Sequence, residues 1–276
     1  MTVADYIHPG GLVLLLDWPE KTVAARVVVP QAAGVLQVDG GFLVCSFNRI
    51  YRLDAALQIV DIVEDRWFNN LHGLCALPGG YAVASAGIDS VIFLDESLCA
   101  VDYWCAAEHG YATDRSGRAR AIAFSEDHRW RFYPTPMHTT HINSVSWDRK
   151  KSLLCATLFW QGTVVGIDRA AGEHGELLGG LDRPHSIQTT RKGDFLVANT
   201  GRGEIVTRSP GGEDIHLAVP GCSWLQDVKE TDVATFLCAD ANRNRLLEID
   251  AHGDVHSTWT FDREWKVHEA VLVNDA

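Results

Sequence analysis

The sequence predicts an all-β fold, a six-bladed β-propeller, and three observations carry that expectation. Short runs rich in Val, Ile, Leu and Phe alternate with Gly, Asp and Asn, and no long stretch shows a 3.6-residue apolar period. Segments ending in an apolar residue, a polar one and a turn recur along the chain: LLLD to Asp17, YRLD to Asp54, IFLD to Asp95, VGID to Asp168, VTRS to Ser209 and LEID to Asp250. A spacing of 41 residues separates Asp54 from Asp95, Asp168 from Ser209 and Ser209 from Asp250. Six such repeats with one insertion of 32 residues account for the 276-residue chain.

Each repeat holds four short strands, the content of one propeller blade. The second repeat reads LHGLCALP, GGYAVASAG, DSVIFLD and LCAVDYW; the fourth reads PHSIQTT, GDFLVANT, GRGEIVTRS and EDIHLAVP. The two ends are expected to share a closing blade. VHEAVLV, at 267–273, supplies its innermost strand, and TVADYI, LVLLLD and KTVAARVVV supply the other three. Such closure removes exposed sheet edges. The whole of 1–276 then forms one domain, with an inserted loop at about 106–137. Cys45, Cys155 and Cys238 fall where other repeats carry Ala84 and Ala198, so they read as small core fillers.

A net charge of −12 argues against partners that attract basic surfaces, so neither nucleic acid nor a membrane is expected. Seven cysteines without a CxxC pair fit reduced thiols. The first residues lack a basic stretch followed by an apolar run, so no signal peptide is expected and the localisation expected is cytoplasmic. No GxGxxG, P-loop, HExxH, GxSxG or EF-hand loop occurs.

Inner strands of a propeller line its channel, and aligning them on the repeat puts Ala33, His72, Asn143, His185, Gln226 and His268 at equivalent positions. Three are histidines on alternate blades. Neutral imidazoles converging on the axis suit a divalent metal, so His72, His185 and His268 are candidate ligands. Zinc is the expected ion, with iron, copper or manganese open to the same ligands. His141, two residues before Asn143 and on the same side by strand alternation, is a fourth ligand or a general base. The same face collects His8, Asn48, Arg49, Gln161, Asn199, Arg202 and Arg243 from strand connections. Arg202 is a candidate catalytic partner for an anionic group. The insertion carries five arginines with Tyr111, Trp130 and Tyr133, and reads as a lid over that face. Asn143, Asn199, Gln226, Trp160, Arg129 and Tyr133 are the candidate substrate contacts.

LHGL at Leu71–Leu74 and PHSI at Pro184–Ile187 resemble the blade-opening motifs of the peptidyl-hydroxyglycine amidating lyases, six-bladed propellers of the NHL-repeat type. The resemblance implies a channel zinc held by His72, His185 and His268. Where that family has an arginine, the chain has Thr200, with Arg202 two residues on; where it has a catalytic tyrosine, the chain has Phe159 and Trp160. HINSV at His141–Val145 is similar to a motif of the arylsulfotransferase propellers, implying histidine-based transfer by His141, His185 and His268 with Arg202. The leading expectation is a metal-dependent enzyme of lyase, isomerase or hydrolase type, acting on a small polar or anionic substrate in the channel. A metal-free histidine transferase and a non-catalytic ligand- or peptide-binding propeller are the alternatives.

Overall fold

The computed structural model describes residues 10–209 and 211–273. Strands β1 (Leu12–Asp17) and β2 (Thr22–Val28) pair as a two-stranded sheet. Five four-stranded antiparallel meanders follow. The first blade comprises β3 (Val35–Val38), β4 (Gly41–Cys45), β5 (Ile50–Asp54) and β6 (Ile59–Val63). The second comprises β7 (Leu71–Leu77), β8 (Gly80–Ser85), β9 (Ser90–Leu94) and β10 (Ala100–Cys105). The third is β11 (Ile142–Asp148), β12 (Leu153–Leu158), β13 (Thr163–Asp168) and β14 (Glu173–Leu178). The fourth is β15 (His185–Thr189), β16 (Phe195–Asn199), β17 (Glu204–Arg208) and β18 (Asp214–Ala218). The fifth is β19 (Leu225–Glu230), β20 (Phe236–Asp240), β21 (Arg245–Ile249) and β22 (Val255–Thr260).

The expectation of six blades is corrected: the described residues form five. The C-terminal residues 267–273 are not a strand: they pack Val267, Ala270 and Leu272 against Leu14 and Leu246 without ladder hydrogen bonds. A groove of about 410 Å³, lined by Leu14, Leu16, Val271 and Leu272 among others, lies beside β1. A meander blade needs a hydrogen-bonded neighbour on each side of its inner strands, and among the described residues β1 pairs only with β2. Thr2–Ile7, expected to supply one of the N-terminal strands, and His8 lie outside the described residues.

The recurring aspartate has a local cause. Asp54 Oδ1 accepts the backbone N–H groups of Ala56 and Gln58, Asp95 those of Ser97 and Cys99, and Asp250 those of His252 and Asp254. Each carboxylate therefore fixes the turn from the third strand of a blade to the fourth. Between blades the facing side chains bury together, as Phe93 and Trp104 do against Ile142, Leu158 and Val165. Cys45, Cys155 and Cys238 sit in these cores, where burial pushes their thiols up, Cys155 to about 12.

The insertion is pinned rather than loose. Asp89, fully buried with φ +49, accepts Thr139 N, Thr140 N and His141 N at 2.9, 2.9 and 2.7 Å, and pairs with Arg120. Arg120 also donates to Gly87 O and lies 4.8 Å from the Tyr133 ring centroid. Asn69 Nδ2 donates to His128 O and Arg131 O, and Trp67 Nε1 to Phe124 O. The expected lid is thus held by buried polar bonds to the second blade. Removing the buried carboxylate would strand the Arg120 charge and three N–H groups. Asp89→Ala is therefore expected to cost about 3–5 kcal/mol and to open the insertion to limited proteolysis. Asp89→Asn, which tolerates the left-handed backbone, should lose less. Wild-type midpoints and cleavage rates for both variants would contradict the pinning role.

Candidate functional site at the channel mouth

Four inner strands carry an irregularity where they meet the axis. Pairing shifts between Leu71 and Leu74, Ile142 and Val145, His185 and Ile187, and Leu225 and Asp227. A bulge re-aims the side chain it releases from the ladder, and the released positions include His72, Asn143 and Gln226. Together with Ala33, His185 and His268, these line one small central cavity. All six positions aligned from the repeat therefore meet at the axis. The cavity holds about 20 Å³, room for one water-sized group.

The imidazoles form a chain. Ring centroids lie 5.0 Å apart for His138 and His141, 5.2 Å for His141 and His72, and 6.0 Å for His72 and His268. Phe159 makes edge contacts at 5.2 Å with both His141 and His185. Burial is the main force lowering all of their pKa values, and other imidazoles of the cluster add to it at His72, His141 and His185. His185 falls to about 3, through burial and then His268; His268 falls to about 4, with Asp227 opposing the burial. His138 is also lowered by burial, against Asp89.

Hydrogen bonds fix where the protons of these neutral rings reside. His138 Nε2 lies 2.9 Å from Tyr133 O, and a carbonyl only accepts, so that nitrogen carries the hydrogen. His138 Nδ1 is then an acceptor, and its 2.8 Å partner, His141 Nδ1, must donate. Neutral His141 is left with an unprotonated Nε2. Thr200 Oγ1 donates to Leu225 O at 2.6 Å, so it accepts from His185 Nδ1 at 2.9 Å, with Arg183 O sharing that donor at 3.1 Å. His185 Nε2 is likewise a lone pair. His72 Nε2 is buried with no hydrogen-bond partner. Asn143 Oδ1 accepts from Thr157 Oγ1 at 2.6 Å, and its Nδ2 is buried without a partner. The cluster thus offers basic nitrogens and one inward amide donor.

His141 reaches the cluster by a different route from strand alternation. It precedes β11 with φ +51, a left-handed conformation repeated at the equivalent Asn70 and Arg183. Asp89 holds this backbone by accepting the His141 N–H. His138 and Asp89 were not among the sequence candidates. The pair His138 and His141, three apart, was the available signal.

Other candidates take different places. Asn199 is buried with both amide ends in use, accepting from Asp182 N and donating to Glu204. Arg129 bonds Asp127 and, outside the insertion, Glu64, while the Tyr133 hydroxyl bonds His128 within the insertion. Arg202 is exposed, 3.9 Å from Glu204 and outside the central cavity. Gln226 Oε1 accepts from Trp224 Nε1 at 2.8 Å. Trp160 lines an open cleft of about 460 Å³ with Phe159, Trp224, Arg115, Asp182 and Arg183.

The fit of a metal divides into chemistry and spacing. Neutral imidazoles with free Nε2 atoms are good ligands. Among the described residues, however, no three His, Cys, Asp or Glu side chains stand close enough to share an ion. The expected triad of His72, His185 and His268 is not assembled as a ligand set. The Asn143 N–H₂ group, turned inward, receives an oxygen lone pair and disfavours a cation.

No protein-family model matches the sequence, and no curated protein matches it. Solved structures do match. The nidogen–laminin complex gives a TM-score of 0.69 at 11% identity, covering 97% of this chain and 95% of that one. The fold is a β-propeller. Virginiamycin B lyase from Staphylococcus aureus gives 0.55 at 10% identity, covering 84% of both chains. A catalytically inactive histidine-to-alanine form of that lyase with quinupristin gives 0.56 at 11%, covering 83% of this chain and 84% of that one. At such identities the likeness extends to the fold alone. None of these matches carries the HINSV resemblance to the sulfotransferases.

Burial of neutral histidines ties stability to pH in one direction. Unfolded, these rings titrate near 6.5; folded, they resist the proton. The unfolded chain therefore binds more protons as pH falls, so their contribution is complete above about pH 6.5 and is lost towards pH 4. The slope approaches about 1.4 kcal/mol per pH unit for each such histidine. Urea unfolding at pH 7.5 and pH 5 should show this loss, and His185→Asn should reduce the slope by about one proton. A pH-independent stability over that range would contradict the neutral cluster.

Proposed function

We propose that the chain is an enzyme of lyase or group-transfer type. It acts on a small anionic molecule by histidine acid–base chemistry at the channel mouth. The observation that carries this reading is the His138–His141 pair, which leaves His141 Nε2 unprotonated while its other nitrogen is already hydrogen-bonded. A base so held takes a substrate proton at Nε2, and the charge that results is shared through Nδ1–H with His138. Its lowered pKa keeps it in the basic form at neutral pH. Asn143 Nδ2 is available to donate to an oxygen on which negative charge grows. The same proton, returned from Nε2, can serve a leaving group. His185 supplies a second lone pair beside the cleft. A 20 Å³ cavity admits only a reacting group, so the body of the substrate would lie above the histidine ring. That a propeller lyase is inactive in a histidine-to-alanine form supports the class.

A second reading rests on the orphaned Nε2 of His72. With His185 and His268 it would hold a divalent ion, zinc before iron or copper, after the rings draw together; the ion would supply Lewis acidity. The two readings separate in one experiment. Small organic acids are incubated with wild-type protein, chelator-treated protein and His141→Asn, and turnover is read by mass spectrometry. The proposal expects turnover that survives chelation and falls at least about 100-fold in the variant. Turnover abolished by chelation and restored by zinc would replace it with the metal reading. No turnover of any acid, with a protein partner captured on the same face, would replace both with a binding propeller.

A further inference from the structure

The cleft beside His185 has the composition of a recognition site. Phe159 forms its floor, 4.5 Å from Trp160 and 6.5 Å from Trp224 between ring centroids, and Trp224 stands 6.0 Å from His185. Its volume of about 460 Å³ suits a small molecule. Two guanidinium groups border the aromatic surfaces: Arg115 is 4.5 Å from the Trp160 ring centroid and Arg183 is 4.9 Å from that of Trp224. Gly162, with φ +66, brings its backbone against Leu181 O, where a side chain could not fit, and so joins the third blade to the strand connection that forms the opposite wall.

The charges around this cleft do not balance. Arg183 pairs with Asp182 at 2.9 Å, and Arg202 lies near enough to help hold the Asp182 carboxyl below its usual range. Arg115 reaches in from the insertion and, among the described residues, has no carboxylate partner. A protein with a net charge of −12 thus places an unpaired guanidinium over an aromatic cleft next to its histidine cluster.

We infer that this cleft binds a planar organic acid, its flat ring against Trp160, Phe159 and Trp224 and its carboxylate on Arg115. Stacking and guanidinium–carboxylate pairing are the two recognitions that the surface supplies. This names the substrate class of the proposed reaction and rests on that reading for its purpose, but it is a statement about binding and is tested without turnover. It also gives the insertion a role, since Arg115 lies on the segment that Asp89 and Arg120 pin in place.

Isothermal titration with 2-naphthoate as the probe tests the assignment, with 2-naphthamide and cyclohexanecarboxylate as controls. Saturable binding of 2-naphthoate is expected, with both controls at least about tenfold weaker. Arg115→Gln and Trp224→Leu, each checked for a wild-type melting transition, should each weaken 2-naphthoate by about tenfold. Absence of binding to the wild type, equal binding of the amide, or unchanged binding by Arg115→Gln would overturn the inference. Binding without turnover would count against the proposed reaction and leave this assignment of the cleft standing.

Discussion

Crowding at the axis is the constraint on which the rest of the molecule depends. A side chain at Gly34 would strike His72 O, and one at Gly73 would come within 3.1 Å of Ser144 Cα. Adjacent inner strands therefore touch through backbone, and bulges release His72, Asn143 and Gln226 towards the channel. One step along each strand, a polar seam links neighbours: Ser144 Oγ accepts Ile187 N, Ser186 donates to Asp227, and Asp227 Oδ2 accepts Ala270 N. Glu269 accepts Val35 N at 3.3 Å, so the C-terminal segment bridges the fifth blade and the first without forming a strand. Lys229 holds Asp227 and Glu269 at 3.1 and 3.2 Å. Burial opposes its charge, but the two carboxylates together hold its pKa up.

The chemistry follows from that tightness. Imidazoles pressed together in a space with room for one water-sized group cannot all be charged, and burial keeps them neutral at physiological pH. Neutrality alone does not choose a base. The choice is made by a second layer, in which Tyr133 O, through His138, and Thr200 Oγ1 with Arg183 O draw hydrogens away from the channel. Tyr133 and His138 lie in or beside the insertion. The insertion therefore both borders the cleft through Arg115 and orients His141.

Much of this was legible in the sequence. The 41-residue period gave the meander blades because one aspartate per turn leaves a visible mark, and it aligned the six axial residues because they recur at the same place in the repeat. Blade number was read less well: counting repeats treats the terminal segments as full strands, whereas 267–273 pack without ladder bonds. The metal triad was inferred from alternation around a ring, but the rings associate as a chain through His141 and Phe159. Asn199, Arg129 and Tyr133 were chosen for residue type on the right face, and local partners consume them. Asp89 left no local pattern because its partner His141 is 52 residues away, whereas His138 stands three residues from His141 and that spacing was a usable signal.

The most direct test is the tautomeric state of the histidines, read by long-range ¹H–¹⁵N correlation spectra of ¹⁵N-histidine-labelled protein at pH 6. His141→Asn and His185→Asn would assign the signals. The account predicts both rings neutral, with the proton on Nδ1 and Nε2 bearing a lone pair. Imidazolium signals, or rings protonated at Nε2, would contradict it.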